Sequence, residues 1–301
     1  MNKENFKKKF AEFHDKKYKL LLLIPLALFI FGFVYMGFFY AQNNDFMYKD
    51  ISLTGGTSVT INNQIDSAEL RNAISSKLEN LQIREISDLV THEQIAVVIE
   101  TKSDGDFTRQ VLEEYLGYDL DGENSSFEFT GATLSNSFYQ QLLIALLISF
   151  VLMTFVVSIQ FKNFVPSISI ILSAFADIFF TLVLINLLGI QISTAGIVAF
   201  LMLIGYSVDT DILLTNKVLK REGKSINESI FQSFKTGVTM TLTSIAAVTA
   251  AFIIIGPFSS ILSQIFLIML IGLCFDILNT WLTNVSIIKW YAKHKQKKNE
   301  N

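Results

Sequence analysis

Six apolar runs divide the chain, near residues 20–40, 139–160, 165–187, 192–214, 237–256 and 261–286. Each supplies the roughly 20 mostly apolar residues that a helix needs to cross the ~30 Å hydrocarbon core. The spacing predicts one span (20–40), a long wet insertion (41–137) and a five-span bundle (138–286), with polar tails at 1–19 and 287–301. The first run follows a lysine-rich tail, as the core of a cleaved signal peptide would. It is longer than the ~7–15 apolar residues of such a core, and the bulky Phe39 stands where a cleavage site needs a small residue. It reads as an uncleaved signal anchor.

Within 41–137 the hydrophobic period alternates between about two and about four. Thr57-Ser58-Val59-Thr60-Ile61 alternates like a half-buried strand. Asp66 is placed to cap a helix, with Glu69 in the capping-box position, and Leu70, Ile74 and Leu78 then share one helical face. A strand fits at 82–90, and Ile95, Val97 and Ile99 alternate again. Asp106 is placed to cap a second helix with Phe107, Val111 and Tyr115 along one stripe, and Phe127 and Phe129 close with a short strand. The order strand, helix, strand, strand, helix, strand is the split βαβ arrangement. The predicted fold class is a polytopic α-helical membrane protein of six transmembrane helices, with one external α+β ferredoxin-like domain between spans 1 and 2.

Charge supplies the orientation. The tail before the first span has seven lysines against three acids, the loop at 215–236 five basic residues against two acids, and the tail after 286 five lysines against one acid. An even number of spans puts these segments on one side, and the positive-inside rule makes that side the cytoplasm. Both termini are then expected in the cytoplasm of a cell-membrane protein, with 41–137 outside. That external segment carries six basic and 17 acidic residues. Such acidity keeps a domain soluble and can also select or repel charged partners, less so as salt rises.

Enzyme chemistry finds no foothold. The single cysteine, Cys274, lies in an apolar run, so no internal disulfide or cysteine-type metal spacing exists. Gly223-Lys224-Ser225 resembles the end of a phosphate-binding loop, but Val218 stands where that motif requires glycine. His14, His92 and His294 are scattered and lie outside the spans. No cofactor, metal or nucleic-acid partner is expected; the bilayer is.

Candidate chemistry lies inside the spans instead. Asp177 falls in span 3, Asp209 and Asp211 in span 4, and Asp276 in span 6. A charged aspartate at a helix centre costs about 2.5–3.5 kcal/mol on insertion scales, so such residues are usually functional or paired. No lysine or arginine occupies the central part of any span. Taking a carboxylate out of water without a cation disfavours its charge, which suits a group that takes up and releases protons. Gly205 and Asp209 share a helical face, and the missing side chain at Gly205 lets a neighbour approach the carboxyl. Asp211 lies about 200° further round. Asp209 is expected to face the bundle interior, and Asp211 the cytoplasmic boundary or a second helix. Span 5 offers Thr239, Thr241, Thr243, Ser244 and Thr249 for hydrogen bonds across helices, and Ala246, Ala247, Ala250 and Ala251 for close packing.

Gly205-Tyr206-Ser207-Val208-Asp209 resembles the span 4 signature of the SecF branch of the SecD/SecF protein-export family, and fits the G-x-x-x-D pattern of the wider resistance-nodulation-division superfamily. Asp50-Ile51-Ser52-Leu53-Thr54-Gly55-Gly56-Thr57 resembles the segment that opens the first external domain of that family. Asp276-Ile277-Leu278-Asn279-Thr280-Trp281 resembles span 6 of its archaeal form. The resemblance implies pairing with a SecD-like subunit, assistance to an exported polypeptide at a SecYEG-type channel, and proton movement at the interface of the two subunits. On it, Asp209 is the first proton-relay candidate, with Asp177, Asp276 and Asp211 assisting, and Gly205, Thr239, Thr243 and Ser244 packing beside them. Two positions depart from the bacterial pattern. The arginine that precedes a Thr-Ser pair in bacterial span 5 falls at Thr239 here, where the pair is Thr243-Ser244. The bacterial span 4 aspartate falls at Thr210, so Asp209 matches the position used by SecD. A half-transporter for small-molecule efflux and a static translocase scaffold are the alternative readings.

Overall fold

The computed structural model describes residues 20–88, 91, 93–220, 225–256 and 259–300. The basic tail at 1–19, His14, His92 and the Gly223-Lys224 pair lie outside the described residues. The first span is α1 (Leu23–Asn43). It stops at Asn44, which takes a left-handed conformation (φ 53°) and donates its N–H to the Tyr40 carbonyl, a role asparagine tolerates well. A short helix, α2 (Ile51–Thr54), then leads into the external domain.

That domain runs β1 (Gly56–Ile61), α3 (Ser67–Ile74), β2 (Gln82–Ser87), β3 (Gln94–Thr101), α4 (Gly105–Leu116) and β4 (Ser125–Thr130). The sheet order is β2-β3-β1-β4, with every neighbouring pair antiparallel. β3 therefore lies between β1 and β2, which is the ferredoxin-like topology. Val59 faces Ile99 on one side and Phe127 on the other. Val59, Ile61, Val97 and Ile99 bury their side chains against Leu70, Ile74, Val111 and Leu112 of the two helices. Each fully buried aliphatic contributes about 1.5–3 kcal/mol, which makes this sheet-on-helix layer the domain's main source of stability.

Local details correct three expectations. Asp66 does cap α3, accepting from Ala68 N (2.8 Å) and Glu69 N (3.1 Å). The cap of α4 is Asp104 rather than Asp106; its carboxylate accepts the Asp106 N–H at 3.0 Å. The buried stripe of α4 is Thr108, Val111 and Leu112, and Phe107 is exposed. Ile95 is also exposed, because the β2–β3 ladder slips between Ile86 and Ser87. A bulge leaves one extra residue unpaired, and Ile95 is that residue. Phe129, in β4, is likewise exposed.

The membrane bundle follows as α5 (Ala132–Phe161), α6 (Phe164–Leu187), α7 (Thr194–Leu219), α8 (Ile226–Ile255) and α9 (Ser260–Asn279). A π-helical turn (Thr280–Asn284) joins α9 to α10 (Val285–Glu300), making one long span. Among the described residues, six helices are thus long and apolar enough to cross a bilayer. α6 and α7 form the interior, whereas only 6% of the apolar stretch of α5 and of α8 is buried. Close approach sets the packing around α7. A Cβ on Gly272 would collide with the Leu203 side chain, and one on Gly237 would meet Trp281 Cζ2 at 2.8 Å and Thr210 Cγ2 at 3.1 Å. Overpacking a filled core costs typically ~1–3 kcal/mol. Gly237→Val should therefore lower the unfolding free energy by about 2 kcal/mol, measurable by denaturant titration of the detergent-solubilised protein.

Candidate functional site

Three carboxyl groups meet where α6, α7 and α9 pack together. Asp177 is fully buried: its Oδ1 accepts from Asn279 Nδ2 at 2.6 Å, and its Oδ2 accepts from the Ser207 hydroxyl. Asp211 is also fully buried, its Oδ1 taking the Thr280 hydroxyl at 2.9 Å and Asn284 Nδ2 at 2.8 Å. Asp276 meets the Thr241 hydroxyl of α8 at 3.3 Å and the Thr280 hydroxyl at 3.3 Å. Thr280 therefore touches both Asp211 and Asp276. Among the described residues no lysine or arginine acts on any of the three carboxyls.

The π-helical turn positions much of this cluster. It spans Thr280–Asn284 and follows directly on Asn279, and all three of Asn279, Thr280 and Asn284 donate to buried carboxyls. π-Turns inside α-helices recur at functional sites. Asn284 is held in turn by the Ser169 hydroxyl, which donates to its Oδ1 at 2.5 Å. Ser207, Asn279, Thr280, Asn284 and Ser169 were not among the expected site residues. Their signal in the sequence is the polar spacing Asn279, Thr280, Thr283, Asn284 in an otherwise apolar span.

Asp209 is placed differently from expectation. It is exposed on the outer face of α7, together with Gly205 and Tyr206, while Ser207 and Asp211 point inward. A Cβ on Gly205 would meet nothing within 4 Å. Asp211 reaches a second helix, not the cytoplasmic boundary. The reason is rotational: the hydroxyl and amide donors all lie on the Asp211 side of α7, and 200° of helix rotation separates that side from Asp209. Thr239 and Thr243 are exposed as well, their hydroxyls donating to the Lys235 and Thr239 carbonyls at 2.7 Å each. Ser244 is half-buried. Among the described residues no hydrogen bond joins any of these to Asp209. The four aspartates thus divide into an inner cluster (Asp177, Asp211, Asp276) and one outward, exposed carboxyl, Asp209, with no hydrogen bond or ion pair among the described residues.

The segment from Asp50 to Thr57 fastens the external domain to that same bundle. Asp50 caps α2, accepting from Ser52 N (2.9 Å) and the Ser52 hydroxyl (2.6 Å). Ser52 Oγ in turn accepts the N–H of Thr194, the first residue of α7, at 2.9 Å. Asp50 N donates to the Ile192 carbonyl and Ile192 N to the Tyr48 carbonyl, so Lys49 and Ile192 form a short parallel bridge. Gly55 (φ +80°) passes so close to α5 that a Cβ would meet Ala132 Cα at 2.5 Å, and the Thr57 hydroxyl donates to the Ser103 carbonyl at 2.8 Å. The helix that carries Asp209 and Asp211 is thereby tied at its N-terminal end to the root of the domain. Beside this root, a cleft of about 660 Å³ lies between residues of β2 and β3, the Gly189–Gln191 segment and the start of α9 (Ser259–Gln264).

Titration at the junction is set by opposing environments. Burial pushes the Asp50 carboxyl above the usual carboxylate range, outweighing the Ser52 hydrogen bonds and the nearby Arg84. Burial also raises Glu100, despite its contact with Arg84. Asp45 goes the other way, because Lys49, Phe46 N and Tyr139 together outweigh its burial. A raised carboxyl binds its proton more tightly in the folded state, so its stabilisation is full below the unfolded value and is lost as pH rises through the folded one. The wild type should therefore gain stability over Asp50→Asn as pH falls from neutrality through the carboxylate range, which paired thermal melts across that range would measure.

Comparison with known proteins agrees with this architecture. Residues 110–294 match the family described as "Protein export membrane protein SecD/SecF, C-terminal". The protein-export membrane protein SecF of Methanocaldococcus jannaschii is 40% identical over 291 residues, covering 94% of this chain and 99% of that protein. The SecF of Methanothermobacter thermautotrophicus is 35% identical, covering 92% and 94% respectively. The crystal structure of SecDF, a translocon-associated membrane protein from Thermus thermophilus, shares the fold with a TM-score of 0.67 at 18% identity; the match covers 95% of this chain and 38% of that longer one. The chain belongs to the SecF family of protein-export membrane proteins.

Proposed function

We propose that this chain is the SecF-type accessory subunit of a Sec translocase, pairing with a SecD-like subunit to assist polypeptide export through a SecYEG-type channel across the cytoplasmic membrane. Both termini lie in the cytoplasm and the acidic domain lies outside, where it meets the emerging polypeptide. The observation that carries the pairing is the outer face of α7. Gly205, Tyr206 and Asp209 stand exposed on α7, and the small residues Thr239, Thr243, Ala246 and Ala247 are exposed on α8, the next helix in the chain. Small residues let helices approach closely in a bilayer. A lone carboxylate facing lipid is costly, whereas one facing a partner subunit can be hydrated, paired or protonated there. Asp209 is accordingly the residue at which proton movement couples to export, and the Asp50–Ser52–Thr194 linkage carries a shift of α7 to the domain.

Asp209→Asn should reduce export of a secreted reporter at least tenfold while the tagged protein still co-purifies with its SecD-like partner. Normal export in that variant would remove Asp209 from the mechanism. Sensitivity to small toxic molecules without any secretion defect, after deletion of the gene, would favour the efflux reading instead.

A further inference from the structure

The sheet of the external domain ends at β2, the outermost strand in the order β2-β3-β1-β4. One edge of β2 pairs with β3. Among the described residues, no group outside β3 hydrogen-bonds to the main chain of residues 82–86. An unpaired edge of this kind is a template for another strand. The cleft of about 660 Å³ runs along it, lined by every residue from Gln82 to Ile86. Successive residues of a strand point to opposite faces of the sheet. Ile83 packs towards the two helices of the domain, so Arg84, which pairs with Glu100, is on the other face. A cavity touched by both sets lies beside the strand's edge and not over one face. Arg71 of α3 and Val98 of β3 line it from the two sides of the sheet.

The dimensions suit one strand. Strands lie about 4.8 Å apart, sheets stack about 10 Å apart and each residue adds about 3.3 Å, so five residues fill roughly 800 Å³. The cleft therefore admits about four residues of a single extended segment. Its charge narrows the occupant. The lining carries Arg71 and Arg84 against Glu85 alone, in a segment that otherwise has a large excess of acids. Arg84 is held by Glu100, whereas Arg71 is exposed. A neutral or acidic segment is repelled least here. An export machine must also accept many sequences, and strand addition draws its affinity from the main chain that all of them share. We propose that the edge of β2 takes a neutral or acidic stretch of the exported polypeptide as a transient fifth strand, held between the external domain and the bundle. This rests on the export reading above and gives it a contact site. The floor of the cleft is joined to α7: Gln264 Nε2 donates to the Gln191 carbonyl at 2.5 Å, and Gln264 Oε1 accepts the Ser193 N–H at 3.0 Å. Movement of α7 thus reaches the floor directly, and the roof through Ser52 and Thr194.

The test uses membranes that contain the native complex and a secreted reporter arrested in mid-export by a tightly folded C-terminal domain. A photo-cross-linking residue at Glu85, exposed on β2, should join the reporter at least tenfold more often than one at Glu123, which is exposed but outside the cleft. Gln191→Trp, which fills the cleft from its floor, should cut the Glu85 product at least fivefold in protein that melts as the wild type does. Main-chain pairing is read separately, by fluorescence anisotropy of a labelled seven-residue Thr/Val peptide with the purified full-length protein. N-methylation of alternate residues, in one of its two phases, should weaken binding at least tenfold, and two lysine substitutions should weaken it more than two aspartates. A Glu85 position that joins only lipid or the SecD-like subunit, while Glu123 still joins the reporter, would overturn the site and leave the export reading standing. Equal binding of the parent peptide and both N-methylated forms would overturn the strand pairing.

Discussion

Gly56→Ala is expected to cost about 3 kcal/mol or more, enough to separate the external domain from its seat on the bundle. Gly56 sits at φ +147°, a conformation that side-chain-bearing residues rarely adopt, and its absent Cβ would collide with the Thr101 carbonyl oxygen. That oxygen belongs to the neighbouring strand and cannot rotate away. Ile51 Cγ2 and Lys102 Cα, both at 3.2 Å, close the remaining space. The conformation and the crowding therefore act together, at the residue that starts β1 within the Asp50–Thr57 segment. Gly105→Ala is the control: its nearest neighbour would be Thr57 Oγ1 at 3.8 Å, and its backbone is ordinary. Calorimetric or fluorescence melts should show Gly56→Ala losing its folded domain while Gly105→Ala stays within about 0.5 kcal/mol of wild type.

The second large effect separates the aspartates. Asp177→Ala removes the acceptor of two buried donors, Ser207 Oγ and Asn279 Nδ2, and leaves a cavity between α6, α7 and α9. Buried donors stripped of a partner cost about 1–3 kcal/mol each, although hydrogen bonds measured within membranes average nearer 0.6 kcal/mol. A loss of about 2–3 kcal/mol is expected. Asp209→Ala removes no hydrogen bond or ion pair among the described residues and should change stability by no more than about 0.5 kcal/mol, while the proposed role predicts a loss of export. Reversible unfolding in mixed micelles measures both. The predicted pattern is one aspartate that matters for folding and another that matters only in the assembled complex.

Much of the fold was legible because its signals are coarse and physical. Six apolar runs of spanning length, the acidic insertion and the change of period inside it led to the six spans and the split βαβ sheet. What failed was local. Asp104 and Asp106 flank Gly105 and both have the chemistry of a cap, so the sequence offered no means of choosing between them. The Ile95 bulge depends on cross-strand register, which a single strand does not encode. The orientation of α7 was misjudged for a deeper reason. Helical periodicity places Asp209 and Asp211 on opposite faces, but α7 is apolar nearly all round, so pattern alone does not say which face is buried. That is decided by Ser207, Asn279, Thr280 and Asn284, three of them on or beside a π-turn that no spacing rule anticipates.

The outward carboxyl is central to the proposed pairing with a SecD-like subunit. The most direct test places a photo-cross-linking residue at Tyr206, exposed on the Asp209 face, and in a parallel variant at Val34, exposed on α1. Irradiation of membranes that contain the native complex should join Tyr206, and not Val34, to the SecD-like subunit. A Tyr206 position that cross-links only to lipid, in membranes where the two proteins still co-purify, would contradict it.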